Sequence, residues 1–115
     1  MNDCLFCQII AGKIPSKEVA RAHGALAFHD VNPQAPTHVL VVPEAHVAGP
    51  AAASGERGEK TYGAVMRLAT EVAAKLGLAE SGYRLVLNEG VDGGQSVGHL
   101  HVHVLGGRRM KWPPG

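Results

Sequence analysis

Apolar positions along the chain form several short extended runs and one long helical stretch. Residues 17–22, 25–30, 38–42 and 83–87 are short runs rich in aliphatic and β-branched side chains, which predict β-strands. Residues 59–76 instead repeat apolar side chains at three- and four-residue steps, which predicts an amphipathic helix. Its apolar positions are Tyr62, Val65, Met66, Ala69, Val72, Ala73 and Leu76.

Two more elements are predicted near the two ends of the chain. Residues 4–11 predict a short helix, and residues 98–105 predict a fifth strand. The segment 49–58 (GPAAASGERG) predicts a flexible connector before the main helix, because it is rich in glycine and alanine. The order β-β-β-α-β-β with short connections favours a mostly antiparallel sheet with one main helix, an α+β fold, in a single domain spanning residues 1–115.

The fifth predicted strand carries a histidine at every second position. His99, His101 and His103 would lie in a row, since alternate side chains of a strand share a face. The opposite face would be apolar and would pack against the helix through Leu100, Val102 and Val104. A single histidine on an exposed strand would mean little, but three in register indicate a function.

Three interpretations of this row compete. A His-x-His pair on a strand can bind zinc, although the carboxylates of a hydrolytic metal centre do not occur in this strand. A merely structural row of polar side chains is the second interpretation. The third is nucleophilic catalysis, because a neutral imidazole attacks phosphorus when a partner keeps one ring nitrogen protonated. A second imidazole nearby would stabilise the anionic transition state.

The loop before the row favours nucleophilic catalysis. Residues 88–96 (NEGVDGGQS) are small, so their backbone N–H groups can surround an anion, and Gln95 and Ser96 add side-chain donors. The loop lacks the GK[ST] ending of a P-loop. Donors beside a nucleophilic imidazole predict attack on a phosphate ester, amide or anhydride.

Composition limits the partners. With 45% hydrophobic residues the chain is expected to fold, and 11 basic against 10 acidic residues give a net charge of +1. The chain has no long run of basic residues, so extended nucleic acid is not an expected partner. The start MNDCLFCQII does not resemble a signal peptide, and no apolar run is long enough to cross a membrane. A reducing, cytoplasmic location is therefore expected.

Cys4 and Cys7 form a CxxC pair that has three interpretations. They could be a redox pair, two thiols that fill the core, or half of a tetrahedral zinc site. The last interpretation needs further ligands from distant parts of the chain. His46 is a candidate, because it has no part in the chemistry expected of the histidine row.

The run from His99 to Leu105 resembles the signature of the histidine triad (HIT) superfamily, in which three histidines alternate with apolar residues. Residues 28–46, residues 88–115 and the N-terminal CLFCQIIAGKIPS are similar to its Hint branch. This resemblance implies a five-stranded antiparallel sheet with one main helix and a short N-terminal helix. It also implies a homodimer whose sheets join across the interface.

The same resemblance implies a role for each candidate site residue. His101 would be the nucleophile that forms a nucleotidyl-histidine intermediate, oriented by the backbone carbonyl of His99. Asp30 would bind the ribose hydroxyls. The phosphate, nucleophile and leaving group would be supported by His103, His38 and Ser96. The phosphate side would be lined by Asn88, Gly94 and Gln95. The base and sugar would be enclosed by Phe6, Ile14, Phe28, His29 and Val31.

The resemblance also implies a structural zinc, because many bacterial members of the wider family hold one with two such cysteines and two such histidines. Its ligands here would be Cys4, Cys7, His46 and His99. Four protein ligands leave no open position on the metal, so the site would be structural. No cofactor is expected for catalysis, because the imidazoles and N–H donors can carry the charge.

The ending WPPG resembles that of Hint proteins that hydrolyse purine nucleoside phosphoramidates. The expected activity is therefore release of a nucleoside monophosphate, such as AMP or GMP, from an amine. Hydrolysis of dinucleoside polyphosphates is one alternative, and a nucleotide-binding interaction module with weak activity is another. Gly98 departs from the branch, which often has a bulkier residue there, and this departure bears on the shape of the pocket.

Overall fold

The computed structural model describes residues 3–115, which form one five-stranded antiparallel sheet with helical elements on both faces. The strand order is β1-β2-β3-β5-β4, so the last strand of the chain inserts between the third and the fourth. The strands are β1 (Glu18–Ala22), β2 (Ala25–His29), β3 (Thr37–Pro43), β4 (Tyr83–Leu87) and β5 (Val102–Gly106). The helical elements are α1 (Leu5–Ile10), a 3₁₀ turn (Pro50–Ala52) and α2 (Gly55–Lys75). The predicted α+β class is confirmed.

Each face of the sheet has its own apolar core. On one face, α2 covers side chains of β2, β3 and the segment that leads into β5, among them Ala27, Val41 and Leu100. On the other face, α1 contributes Phe6 to a smaller core. The remaining members of that core are Leu26, Phe28, Leu40 and Val42. Burial on both faces explains why β3 has a continuous apolar sequence instead of an alternating one.

The predicted hairpin is present between β1 and β2. Ala22 pairs with Ala25, and the two residues between them, His23 and Gly24, both have a positive φ. Two such residues give a tight turn whose twist matches that of the strands it joins. Across the part of the chain that the structure describes, no helix is both long and apolar enough to span a bilayer.

Most of the segment 49–58, predicted to be a flexible connector, is helical. Residues 50–52 form the 3₁₀ turn, and α2 begins at Gly55, four residues earlier than its periodicity predicted. The small residues allow close packing. Gly58 lies against the main chain of Ala53, and the Ala51 N–H donates to Glu89 Oε1 over 2.8 Å. The sequence pattern could not distinguish small residues that allow packing from small residues that allow movement.

The predicted histidine strand is also shorter than expected. Regular pairing begins at Val102, so residues 98–101 precede β5. The neighbouring strand β4 ends at Leu87, opposite Val102, and the Leu100 N–H donates to the Val47 carbonyl over 2.6 Å. Their facing still alternates as predicted. Leu100 is buried in the larger core, whereas the His99 and His101 rings contact Phe6 of the smaller core.

Two glycines of α2 should respond in opposite ways to alanine. A methyl group at Gly58 would clash with the Ala53 main chain, so Gly58→Ala should lower the free energy of unfolding by about 1–3 kcal/mol. At Gly63 nothing lies within 4 Å, so Gly63→Ala should raise it by about 0.5–1 kcal/mol. Urea unfolding of both variants tests this pair. Equal effects would contradict the packing described for residues 49–58.

Candidate functional site

The three histidines lie at the edge of the smaller core. His99 is 0% exposed and His101 only 4%, whereas His103 is partly exposed. Phe6 of α1 packs edge-on against two of the rings, with centroid distances of 5.8 Å to His99 and 5.1 Å to His101. The short N-terminal helix therefore covers the histidine row, a contact that the pattern within the row could not predict.

The ring of His101 is oriented by the main chain. Its Nδ1 lies 2.7 Å from the carbonyl oxygen of His99, and a carbonyl can only accept, so Nδ1 carries the hydrogen. In the neutral ring the lone pair is then on Nε2. This is the tautomer that nucleophilic attack requires.

A second chain of hydrogen bonds assigns the tautomers of His38 and His103. The Gln34 backbone N–H donates to His38 Nδ1 over 3.0 Å, so a neutral His38 carries its hydrogen on Nε2. His38 Nε2 then donates to His103 Nδ1 over 2.9 Å. A neutral His103 therefore has its own N–H on Nε2, beside His101 at a centroid distance of 5.0 Å. The His101 lone pair and the His103 N–H donor are thus on neighbouring rings.

Burial favours the neutral forms of both His38 and His103. The pKa of His103 is lowered to about 4, chiefly by burial and also by repulsion from the neighbouring His101 and His38, against an opposing effect of Asp30. Burial also lowers the pKa of His38, although the Asp30 carboxylate partly opposes that change. Asp30 Oδ2 lies 3.4 Å from His38 Nε2.

A cavity of about 350 Å³ lies beside these rings. It brings His101, His103 and Ser96 together with all the residues predicted to bind the ribose hydroxyls or to enclose the base and sugar. Those residues are Phe6, Ile14, Phe28, His29, Asp30 and Val31. Sequence reasoning missed six other lining residues: Leu5, Ile9, Pro15, Ser16, Leu40 and Val97. Leu5 and Ile9 are four residues apart in α1, a helical spacing that could have indicated one of its faces.

A wider cleft of about 810 Å³ adjoins this cavity. The two share five lining residues, and the cleft extends along the following loop to His38. The shared residues are Pro15, Ser16, His29, Asp30 and Val31. Asp30 has two functions there, because its Oδ1 accepts the Asn32 N–H over 2.8 Å and so stabilises the loop, while Oδ2 faces His38.

Three predicted residues do not line either hollow: Asn88, Gly94 and Gln95. The Gln95 amide is used within the fold, since Nε2 donates to the carbonyls of Ala48 and Val97. Its Oε1 accepts the Gly90 N–H over 3.0 Å. The amide has both N–H groups occupied in this structure, while its predicted donation to an anion stays a prediction. It holds the glycine-rich loop against residues 48–52, and only Ser96 of the loop lines the cavity.

A separate cluster unites Cys4, Cys7, His46 and His99, whose ligand atoms all lie within 4.8 Å of one another. His99 Nδ1 lies 3.3 Å from Cys4 Sγ and 3.2 Å from His46 Nδ1. Cys7 Sγ lies 3.3 Å from His46 Nδ1 and 3.5 Å from His99 Nδ1. Ligand atoms around a tetrahedral zinc lie about 3.3–3.8 Å apart, so these residues fit the metal.

The ring of His99 is oriented for such a cluster. Its Nε2 lies 2.9 Å from the Pro43 carbonyl oxygen and must donate to it, so the Nδ1 lone pair faces the two cysteines. A histidine that binds a metal is usually oriented by a hydrogen bond from its other ring N–H, often to a backbone carbonyl. Four protein ligands would make the site structural, and any metal would tie α1 to the sheet.

A five-stranded antiparallel sheet with alternating histidines beside a cavity defines the histidine triad class of proteins. Residues 11–110 match the model of the HIT domain family, and the chain belongs to that family. It is 49% identical over 113 residues to a 14 kDa zinc-binding protein of Zea mays, an alignment that covers 96% of this chain and 87% of the relative.

Solved structures agree. A HIT family hydrolase from Legionella pneumophila superposes with a TM-score of 0.93 at 44% identity, covering 98% of this chain and all of that one. A histidine triad protein from Clostridium difficile superposes with a TM-score of 0.90 at 37% identity, covering 96% of each chain. The protein is accordingly similar to HIT family hydrolases along nearly its whole length.

Acid should destabilise the fold through His103. Its folded-state pKa of about 4 lies below the ordinary 6.5, so the unfolded chain binds more protons between these values and stability falls as the pH is lowered. Replacing the residue in His103→Gln should reduce this loss by about 1–3 kcal/mol. Urea unfolding from pH 7 to pH 4, with a chelator in every sample, measures the difference. Parallel curves for wild type and variant would contradict it.

Proposed function

We propose that the protein hydrolyses purine nucleoside phosphoramidates through a nucleotidyl-histidine intermediate on His101. The observation that carries this proposal is the tautomer pair at the cavity. The hydrogen bond from His101 Nδ1–H to the His99 carbonyl leaves Nε2 with its lone pair, and His103 offers an N–H donor beside it. Attack on phosphorus needs both groups.

In the first step His101 Nε2 bonds to the α-phosphorus, and the P–N bond breaks as the departing nitrogen takes up a proton from solvent. The His103 Nε2–H and the Ser96 hydroxyl are donors for the phosphoryl oxygens, where negative charge develops. In the second step water attacks phosphorus, His101 leaves with its Nε2 lone pair restored, and the proton lost by the water returns to solvent. Across both steps one water is consumed, its hydroxyl ending on phosphorus and its other hydrogen on the amine.

The cavity supports a nucleoside as the bound part of the substrate. Its walls include the rings of Phe6 and Phe28, which pack edge to face at 5.7 Å and offer flat apolar surface to a purine. Asp30 Oδ2, which the loop leaves available, suits the two hydroxyls of a ribose. The apolar walls do not distinguish adenine from guanine, so AMP and GMP derivatives are both candidate substrates.

Hydrolysis of dinucleoside polyphosphates is the second candidate function. The wide cleft beside the cavity favours it, because about 810 Å³ of space next to the reacting histidines could hold a second nucleotide. The ending WPPG, residues 112–115, resembles phosphoramidate hydrolases and supports the first candidate. A nucleotide-binding module would need no oriented nucleophile, and the His99–His101 hydrogen bond argues against that alternative.

We propose further that Cys4, Cys7, His46 and His99 bind a structural zinc. Their spacing, the orientation of His99 and the zinc-binding relative from Zea mays support this. Such a site needs reduced cysteines, in agreement with the expected cytoplasmic location. No cofactor is proposed for the chemistry, because the donors described above provide for the phosphoryl charge.

We also propose a homodimer, as the family resemblance implies. Strand β4 lies at one edge of the sheet, and all five of its residues are only partly buried in the single chain. An edge strand offers unpaired backbone groups that a second copy can pair with. Light scattering should therefore give twice the 12.0 kDa mass of the chain.

The catalytic proposal is tested with adenosine 5′-phosphoramidate, with diadenosine tetraphosphate as comparator. Wild type should release AMP from the phosphoramidate faster, and His101→Ala should lower kcat by at least about a thousandfold because the nucleophile is lost. His23→Asn is the matched control, since this exposed histidine lies in the β1–β2 turn and bonds to Glu71. Preference for the tetraphosphate would favour the second candidate, and binding of AMP without turnover of either would refute both.

The zinc proposal is tested by elemental analysis of purified protein. Wild type should carry about one zinc per chain, and Cys4→Ser should lose most of it, because a neutral hydroxyl is a poor zinc ligand. The His23→Asn variant should keep the metal. Zinc that remained in Cys4→Ser at the wild-type level would contradict the proposed ligand set.

A further inference from the structure

We infer that the metal cluster is a positioning device for the active site, in which its occupancy sets both the orientation of His101 and the wall of the nucleotide cavity. This inference rests on the proposed function for its kinetic readout. It goes beyond a structural zinc, because it predicts that the cluster changes binding and turnover and not only stability.

The first connection runs through His99. Its ring belongs to the cluster, while its carbonyl oxygen accepts the hydrogen bond that assigns the His101 tautomer. Residues 98–101 lie outside regular β-pairing, and the backbone bond from Leu100 N–H to Val47 holds them from one side. Anchoring the His99 ring between Pro43 and the cluster therefore carries much of the positioning of its carbonyl.

The second connection runs through α1. This helix has only six residues, too few to be stable by itself, so its place depends on tertiary contacts. Cys4 and Cys7 lie on either side of Phe6, whose ring packs against His101 and lines the cavity. Metal bound by the two cysteines would hold Phe6 in place. Loss of the metal would therefore free one wall of the cavity.

The third connection runs through His46. This residue is exposed, so packing alone does not fix its ring, and the ring contacts Cys7 and His99. Its neighbours Val47 and Ala48 accept hydrogen bonds from Leu100 and from the Gln95 amide of the glycine-rich loop. His46 can thus be changed without replacing a residue proposed to act in catalysis and without changing α1, which carries Phe6.

The experiment compares His46→Ala, His46→Cys and the control His23→Asn with wild type. For each protein we would measure zinc content, the Kd of AMP by calorimetry, and kcat and KM on adenosine 5′-phosphoramidate. We would also record the ¹⁵N signals of the His101 ring, which report its tautomer. His46→Cys keeps a nitrogen-and-sulfur ligand set of the kind that zinc accepts.

Loss of the metal in His46→Ala should raise the Kd and KM about three- to tenfold and lower kcat about ten- to a hundredfold, the range typical of perturbed metal-site shells. The His101 signals should move from a single Nδ1–H tautomer towards a mixture. His46→Cys should restore zinc, affinity and turnover, and His23→Asn should match wild type. A variant that lost zinc and thermal stability but kept Kd, kcat and the ring signals would overturn the inference.

Two further comparisons keep the outcome decisive. If His46→Ala does not fold, wild type stripped by a chelator and reloaded with zinc supplies the same pair of states, and unchanged AMP affinity and ring signals between them would overturn the inference. If zinc-loaded wild type does not turn over the phosphoramidate, the proposed function fails. AMP affinity and the His101 tautomer still decide whether the cluster positions the site.

Discussion

The site depends on one hydrogen bond, the 2.7 Å contact between His101 Nδ1 and the carbonyl oxygen of His99. A carbonyl oxygen can only accept a hydrogen bond, so the ring nitrogen that faces it must carry the hydrogen. In the neutral ring this contact alone therefore determines which nitrogen of His101 keeps a lone pair. The bond joins residues two apart in a segment outside regular β-pairing. Its geometry therefore depends on what holds His99, namely Pro43 on one side and the cysteine cluster on the other.

Burial of the sheet on both faces makes this arrangement possible. The larger core beneath α2 uses alternate residues of β2 and β3, and the intervening residues build a second core. That second core is small, and a six-residue helix is enough to cover it. Phe6 consequently serves three purposes at once: it fills the core, packs against His101 and forms a wall of the cavity.

Local patterns predicted much of this. Strands and helix followed from periodicity, and the histidine alternation correctly separated Leu100 and Val102 from the side of the three rings. The errors have a common cause. The early start of α2 depends on the fit of Gly58 against Ala53, and β5 begins only at Val102, opposite the last residue of β4. Both boundaries depend on contacts with another element, and the periodicity within one element does not contain them.

By itself, the sequence determined which residue types could take part and which way they face, because facing follows from the two-residue repeat of an extended chain. Only the tertiary structure decided their protonation and partners. The tautomer of His103 traces back through His38 to the Gln34 N–H, and the pKa of His103 reflects burial under other segments. Cys4 and His99 are 95 positions apart and meet only because α1 folds over the sheet. Hydrogen bonding and desolvation depend on distance in space, which spacing along a chain does not specify.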